Sequence, residues 1–150
     1  MADSIFAISR SALEVERQRM EVIAQNLANS GTVSTPGEEP HRAMRLISGP
    51  RTTRFDQALQ QVRTDAGSSG PELSGVQSYA LVQADAPARV VHDPSHPLAD
   101  KNGDIAYPSI DHAGEMALMV QTLRTYEANT VMFNAARSMY MRALELGGTP

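Results

Sequence analysis

The chain of 150 residues contains no cysteine and no tryptophan, and aromatic residues make up only 5% of it. Without cysteine there is no disulfide bond, no thiolate nucleophile and no cysteine-ligated zinc site. The 13 basic residues are outnumbered by 17 acidic ones and do not cluster. A net charge of -4 without a basic patch argues against a nucleic-acid-binding protein.

Long apolar runs are also missing. No stretch of about 18 consecutive apolar residues occurs, so the sequence predicts no transmembrane span. Asp3, Arg10 and Glu14 interrupt the N-terminal region, which therefore lacks the apolar core of a cleaved secretory signal peptide. An extracytoplasmic destination would need a different export route.

Proline and glycine are absent from two long segments near the ends of the chain. Eight of the nine prolines lie between Pro36 and Pro108, whereas Ala2–Asn29 and residues 115–146 contain neither proline nor glycine. Because both residue types interrupt helices, this distribution predicts two long helices around a turn-rich middle, residues 31–114. At about 1.5 Å per residue the helices would be roughly 40 and 50 Å long. Helices of that length exceed one small core and usually pack against other chains.

The first predicted helix has more apolar surface than one partner covers. Two apolar series repeat every seven residues on different sides of it. They are Phe6, Leu13, Met20 and Leu27 in one series, and Ile8, Val15 and Val22 in the other. Together they span an arc of roughly 200°, whereas one partner needs about 100°.

The second predicted helix is apolar on nearly every side and contains five of the eight methionines. Its main stripe is formed by Met119, Leu123, Tyr126, Phe133, Tyr140 and Leu144. Flexible thioethers suit surfaces that pack against non-identical neighbours. We therefore expect contacts with other chains, although an ordinary antiparallel helix pair with its own core is an alternative that periodicity leaves open.

The middle of the chain predicts short strands and turns. Residues 42–47, Val76–Gln83 and residues 88–92 have the best strand composition. Residues 55–62 suggest a short helical or extended piece. An Asn102-Gly103 turn between Leu98 and Ile105 would reverse the chain. These segments are too few for a large sheet and predict a small β-rich module.

Two motifs in the middle suggest metals only weakly. His92 and His96 lie four residues apart, but the intervening Pro94 forbids the helix that would bring both to one ion, so a turn is favoured over zinc. The run that begins at Asp100 resembles a calcium loop but has Ile105 where that loop needs glycine. No hydrolase, phosphate-binding or dinucleotide motif occurs, so we predict no enzyme, no catalytic residues, no cofactor and no metal.

Several sequence runs resemble the flagellar axial protein family, and its rod members in particular. Residues 24–29 read Ala-Gln-Asn-Leu-Ala-Asn and are followed by Thr35-Pro36 and then by Pro40-His41-Arg42. Residues 91–108 closely resemble the segment that distinguishes the proximal-rod branch of the family. Further matches follow in the same order, at Glu115-Met116, residues 124–129 and residues 144–147.

The resemblance implies a fold and a function. The fold is mainly α with a small β-rich module. Residues 1–30 and 115–150 would pair as an antiparallel coiled-coil axial domain, and residues 31–114 would form a loop and short-strand module. The function is that of a structural subunit of the proximal rod, which transmits torque from the motor ring to the distal rod and hook. Two rivals are a helical adaptor or scaffold outside the flagellum and a calcium- or zinc-binding module.

The resemblance also implies partners and a location. The partners are the rod proteins FliE, FlgB, FlgF and FlgG, further copies of this chain, and the membrane ring protein FliF. The location is the rod of the basal body, where it crosses the periplasm. Export would proceed through the flagellar type III apparatus without a cleaved signal peptide.

Two sets of residues are candidate contact sites. The subunit-packing set contains Phe6, Leu13, Met20, Asn26, Leu27, Asn29, Met119, Leu123, Tyr126, Asn129, Phe133, Tyr140 and Leu144. The rod-docking segment contains Asp93, Pro94, Pro97, Asp100, Asn102, Gly103 and Asp104. For Asn26 and Asn29, capping of the helix end is an equally weighted alternative.

Overall fold

A computed structural model describes residues 2–35, 37–38, 40–51 and 75–147, and the predicted segment at 55–62 lies outside them. Two helices and four strands occur in this part of the chain. They are α1 (Ala2–Asn29), β1 (Met44–Pro50), β2 (Val76–Gln83), β3 (Arg89–His92), β4 (Asp104–Tyr107) and α2 (His112–Gly147). The prediction of a mainly helical protein with a small strand module is confirmed. Neither helix is long and apolar enough to cross a membrane.

The first helix has the predicted bounds, because polar side chains satisfy its last carbonyl groups. The Asn29 side chain donates from Nδ2 to the Gln25 carbonyl at 2.8 Å. The Ser30 hydroxyl donates to the Leu27 carbonyl at 2.7 Å. Such side-chain donors replace the backbone donors that the end of a helix lacks.

The second helix begins three residues before the predicted start, at His112. Asp111 caps it by accepting a hydrogen bond from the Ala113 amide at 3.1 Å. Gly114 lies in the first turn, and a Cβ atom there would approach Asp111 Oδ2 to 2.6 Å. The sequence predicts that Gly114 precedes the helix. In the structure it belongs to the first turn, where its lack of a side chain makes room for the Asp111 cap.

The four strands form two antiparallel pairs. Hydrogen bonds beyond both ends fix the β1–β2 pair, one from the Ala84 amide to the Ala43 carbonyl (2.7 Å) and one from the Arg51 amide to the Gly75 carbonyl (2.8 Å). In the β3–β4 hairpin, Arg89 pairs with Tyr107 and His92 with Asp104. The predicted strands are present with bounds shifted by a few residues at most.

The sequence does not predict β4, because its four residues, Asp104–Tyr107, begin with an aspartate and are too few to give a strand pattern. Its position is fixed by pairing on both edges. On one edge lies β3, and on the other Ser34 exchanges two backbone hydrogen bonds with Ala106, at 2.9 and 3.0 Å. Ile105 and Ala106 are consequently 1% and 4% exposed.

The chain divides into two compact units. Unit 1 contains residues 1–16, 48–79 and 125–150. In it, the Phe6 ring lies 5.4 Å from Phe133 and 6.1 Å from Tyr140 between centroids, both in edge-to-face geometry. These contacts join the N-terminal half of α1 to the C-terminal half of α2 and contribute about 0.5–1.5 kcal/mol each beyond burial.

Unit 2 contains residues 17–47 and 80–124. Its buried apolar side chains come from α1, from the residue before β1 and from β4. They are Val22, Ile23, Ala43, Ile105 and Ala106. Buried polar side chains accompany this small core, and they form the cluster described in the next subsection.

Gly75 is the most constrained glycine of unit 1, and its replacement should destabilise the fold. Its φ is 101°, and a Cβ atom there would overlap Ser11 Oγ, which accepts the Val76 amide at 3.0 Å. We expect Gly75→Ala to lower the free energy of unfolding by about 1–3 kcal/mol, measured by urea denaturation. Gly31→Ala is the control, because nothing lies within 4 Å of that position. Equal stability of the two variants would contradict the packing of Ser11 against Gly75.

Candidate assembly site

A buried polar cluster joins the end of α1 to the start of β1 and the start of α2. Asn26 is 0% exposed and lies at its centre. Its Oδ1 accepts the Met44 amide at 2.8 Å, and its Nδ2 donates to the Met44 carbonyl at 2.9 Å. The carboxamide thus binds the strand as a neighbouring backbone would, and it fixes the first residue of β1 against α1.

Glu115, in the first turn of α2, completes the cluster and is 2% exposed. Its Oε2 accepts Asn26 Nδ2 at 3.1 Å, and its Oε1 accepts Nη2 of Arg45 in an ion pair. The Arg45 side chain is 45% exposed, so its guanidinium group keeps contact with solvent. A buried carboxylate is tolerated when charge and hydrogen bonds compensate its lost hydration, and both are present here.

The two asparagines that looked alike in sequence have different roles. The Asn29 side chain donates to a carbonyl of its own helix, so helix-end capping explains it. Capping does not explain Asn26, whose three hydrogen bonds go to β1 and α2. Sequence reasoning did not single out Glu115 and Arg45 as site residues. An acidic residue in the first turn of a helix, such as Glu115, is usually explained by its favourable interaction with the helix dipole. The one sequence signal of its burial was that apolar residues neighbour it in the helix.

The rod-docking segment is the loop of the β3–β4 hairpin, and its aspartates bind its own backbone. Asp93 Oδ1 accepts from the Ser95 hydroxyl at 2.6 Å and from the Ser95 amide at 3.1 Å. The Ser95 hydroxyl is the main cause of the lowered pKa of the Asp93 carboxyl. Pro94 and Pro97, on either side of Ser95 and His96 in this part of the loop, are exposed.

Asp100 organises the second half of the loop. Its Oδ1 accepts the amides of Asn102 (2.8 Å) and Asp104 (2.9 Å), and its Oδ2 accepts Asn102 Nδ2 (3.3 Å). The Asp104 amide is the main cause of the lowered pKa of the Asp100 carboxyl. Gly103 has φ of 80°, which supports the predicted turn, and His92 Nδ1 lies 2.9 Å from Asp104 Oδ1.

These bonds bear on the two metal motifs. Asp93 and Asp100 already bind loop amides, and His96 Nδ1 accepts the Leu98 amide at 3.2 Å. Among the residues that the structure describes, no three potential metal ligands come together. The segment is thus a loop whose aspartates and His96 bind its own backbone amides.

The remaining candidate residues lie on the two helices, where burial is incomplete. Only Glu115 and Thr122 are buried among the described side chains of α2. Three residues of the predicted stripe are exposed in the single chain: Leu123 by 42%, Tyr140 by 43% and Leu144 by 53%. Apart from the buried Asn26, the other members of the subunit-packing set are half-buried, namely Phe6, Leu13, Met20, Leu27, Asn29, Met119, Tyr126, Asn129 and Phe133.

The exposed surface of α2 is strongly apolar. It includes Met116, Leu118, Val120, Val131, Met132, Met139, Met141 and Leu146, which are 37% to 83% exposed. Many large apolar side chains exposed along one helix are typical of protein interaction sites.

Comparison with known proteins identifies the class first. Residues 108–146, which contain nearly all of α2, match the family described as flagellar basal body rod FlgEFG protein C-terminal. This match assigns the helix with the exposed apolar surface to the flagellar rod proteins.

The particular family follows from full-length relatives. The chain is 33% identical to the flagellar basal-body rod protein FlgC of Salmonella typhimurium, with 96% of each chain covered. It is 33% identical to FlgC of Bacillus subtilis, with 93% of this chain and 94% of the relative covered, and 30% identical to FlgC of Borreliella burgdorferi, with 93% of each covered. The chain therefore belongs to the FlgC family and is a structural subunit of the flagellar basal-body rod, as the resemblance predicted.

Replacing Asn26 and Asn29 one at a time should show that a buried hydrogen-bonding side chain contributes more to stability than an exposed one. Asn26→Ala leaves the Met44 backbone groups and Glu115 without their partner, so we expect a loss of about 2–4 kcal/mol in the free energy of unfolding. Asn29→Ala removes one exposed bond and should cost about 0.5 kcal/mol or less. Urea denaturation of both variants measures the difference, and similar losses would mean that the Asn26 cluster is not formed in solution.

The hairpin loop should loosen in acid. The pKa of Asp100 lies below its ordinary value of 3.8 in the folded loop. A carboxyl with a lowered pKa stabilises the fold above its unfolded pKa, and this stabilisation is lost as the pH falls through the folded value. Amide hydrogen exchange at Asn102 and Asp104 should therefore accelerate, beyond the intrinsic pH effect, below about pH 4.

Asp100→Asn is the matched control for this titration, because asparagine keeps the acceptor oxygen but does not ionise. In that variant the additional acid-induced exchange at Asn102 and Asp104 should disappear, while Ser95 stays under the control of Asp93. An unchanged acid response in the variant would show that another group governs the loop.

Proposed function

We propose that this protein is a subunit of the proximal rod and transmits torque from the motor ring to the distal rod and hook. It performs no catalysis and needs no cofactor. The observation that carries the proposal is the apolar surface of α2, which a single chain leaves exposed along most of the helix. A rod subunit has neighbours that cover such a surface, and burial of apolar area contributes about 25 cal/mol per Å² to assembly.

We further propose that α1 and α2 pair as an antiparallel coiled coil, with residues 1–30 and 115–150 as the axial domain and residues 31–114 as the loop and short-strand module. Two contacts support this pairing. Phe6 near the start of α1 contacts Phe133 and Tyr140 late in α2, and Asn26 near the end of α1 bonds Glu115 in the first turn of α2.

The spacing of the less exposed residues of α2 gives independent support. Apart from Gly114 and Thr130, the less exposed residues that the structure describes in α2 alternate at intervals of four and three residues, which is the seam of a heptad repeat. The series is Glu115, Met119, Thr122, Tyr126, Asn129, Phe133 and Ala136.

The proposed partners are FliE, FlgB, FlgF, FlgG and FlgC itself, together with the membrane ring protein FliF. The subunit-packing residues would contact them along the helices, and the rod-docking segment would do so through its exposed loop. The proposed location is the part of the rod that crosses the periplasm, reached through the flagellar type III apparatus without a cleaved signal peptide. The names of the relatives, all basal-body rod proteins, support a rod location.

A charge on the exposed surface of α2 should block rod assembly. In Leu123→Asp a neighbouring subunit would bury a carboxylate without a partner, at a cost of several kcal/mol. We expect a strain that carries this variant in place of the unchanged protein to export it but to build no rod and to be non-motile. Isolated basal bodies viewed by electron microscopy, together with the protein in the culture medium, provide the measurement.

Ser138→Asp is the control, because Ser138 is an exposed polar residue of the same helix. It should leave motility largely intact. A motile strain with Leu123→Asp would show that no subunit covers this position, and the packing proposal for α2 would then be wrong.

A further inference from the structure

The apolar faces of the two helices do not by themselves fix how one is aligned along the other. In α1, Val15 and Val22 lie seven residues apart, and in α2 Met119, Tyr126 and Phe133 repeat at the same interval. A shift by one heptad therefore brings apolar residues opposite apolar residues again. Apolar packing alone discriminates poorly between such alignments.

The buried polar cluster breaks this repeat. Asn26 and Glu115 are 0% and 2% exposed, and they bond each other at 3.1 Å. If α2 moved by one heptad, so that Thr122 took the place of Glu115, Asn26 would lose its carboxylate partner. Glu115 would then lie beyond the end of α1, separated from both of its partners.

The cluster also joins the helix alignment to the position of β1. The same Asn26 carboxamide that bonds Glu115 holds the backbone of Met44, and the next residue, Arg45, pairs with Glu115. A misaligned helix pair loses the Arg45–Glu115 ion pair and keeps only the Asn26–Met44 bonds at the start of the strand. The complete set of bonds at the start of β1 therefore forms only in the observed alignment.

From this geometry we propose that the cluster of Asn26, Arg45 and Glu115 sets the register of α1 on α2 and completes the anchoring of β1 only in that register. The proposal rests on the antiparallel pairing proposed above. A single buried polar residue in a helical seam acts in this way in coiled coils, because misaligned states leave it without a partner.

Engineered disulfides can report the register, because the chain has no cysteine of its own. Ser30 Oγ lies 3.3 Å from His112 Nδ1, so Ser30→Cys with His112→Cys reports the observed alignment. Ser30→Cys with Met119→Cys reports the alignment shifted by one heptad. The ratio of the two disulfide yields is measured in the full chain in a glutathione buffer.

In the otherwise unchanged chain, we expect the 30–112 disulfide to exceed the 30–119 disulfide by about tenfold or more. In the Asn26→Leu/Glu115→Leu background the ratio should fall about tenfold. Asn29→Leu, which removes an exposed amide, should leave the ratio unchanged. A ratio within about twofold of the parent in the double variant would overturn the proposal.

Two further outcomes are decisive. If the double variant does not fold, the ratio is read in Glu115→Gln, which keeps the side-chain volume, and an unchanged ratio there would overturn the proposal. If the unchanged chain forms no 30–112 disulfide, the antiparallel pairing itself is wrong. The register proposal would fall with it, whereas an unchanged ratio overturns the register proposal alone and leaves the proposed rod function untouched.

Discussion

A carboxamide and a carboxylate, both buried, hold the end of the first helix, the first strand and the start of the second helix together. Asn26 makes two hydrogen bonds to the backbone of Met44 and one to Glu115, and Arg45 supplies the positive charge that the buried carboxylate requires. Each partner is costly to bury alone, so the three segments are stable together rather than separately. The small apolar core of unit 2 is too limited to impose this arrangement.

Around this cluster the fold leaves much of its apolar surface uncovered. The second helix runs for 36 residues, yet only Glu115 and Thr122 are buried among its described side chains. Soluble monomers rarely tolerate such a surface, whereas a subunit of a packed rod requires it. Membership in the FlgC family supports the proposal that assembly covers this surface.

The β3–β4 hairpin follows a different principle. Its loop contains little apolar material, and its shape comes from Asp93 and Asp100, which accept amide and hydroxyl hydrogen bonds from residues two to four positions further on. Such local bonds give a loop a defined shape without a core. Under the docking proposal, such a loop would contact a neighbouring subunit without losing much conformational entropy.

The sequence by itself determined the helices, the turn at Asn102-Gly103, most strand positions and the family, because proline, glycine and apolar periodicity act through neighbouring residues. The same local information did not reveal that Asn26 faces a strand, that Glu115 is buried or that β4 pairs on both edges, because these depend on residues 18 to 89 positions away. Asn26 and Asn29 show the limit most clearly. They are the same residue type three positions apart. Only the tertiary structure, which places Met44 and Glu115 beside Asn26, makes Asn26 a buried hydrogen-bonding residue and leaves Asn29 as a helix cap.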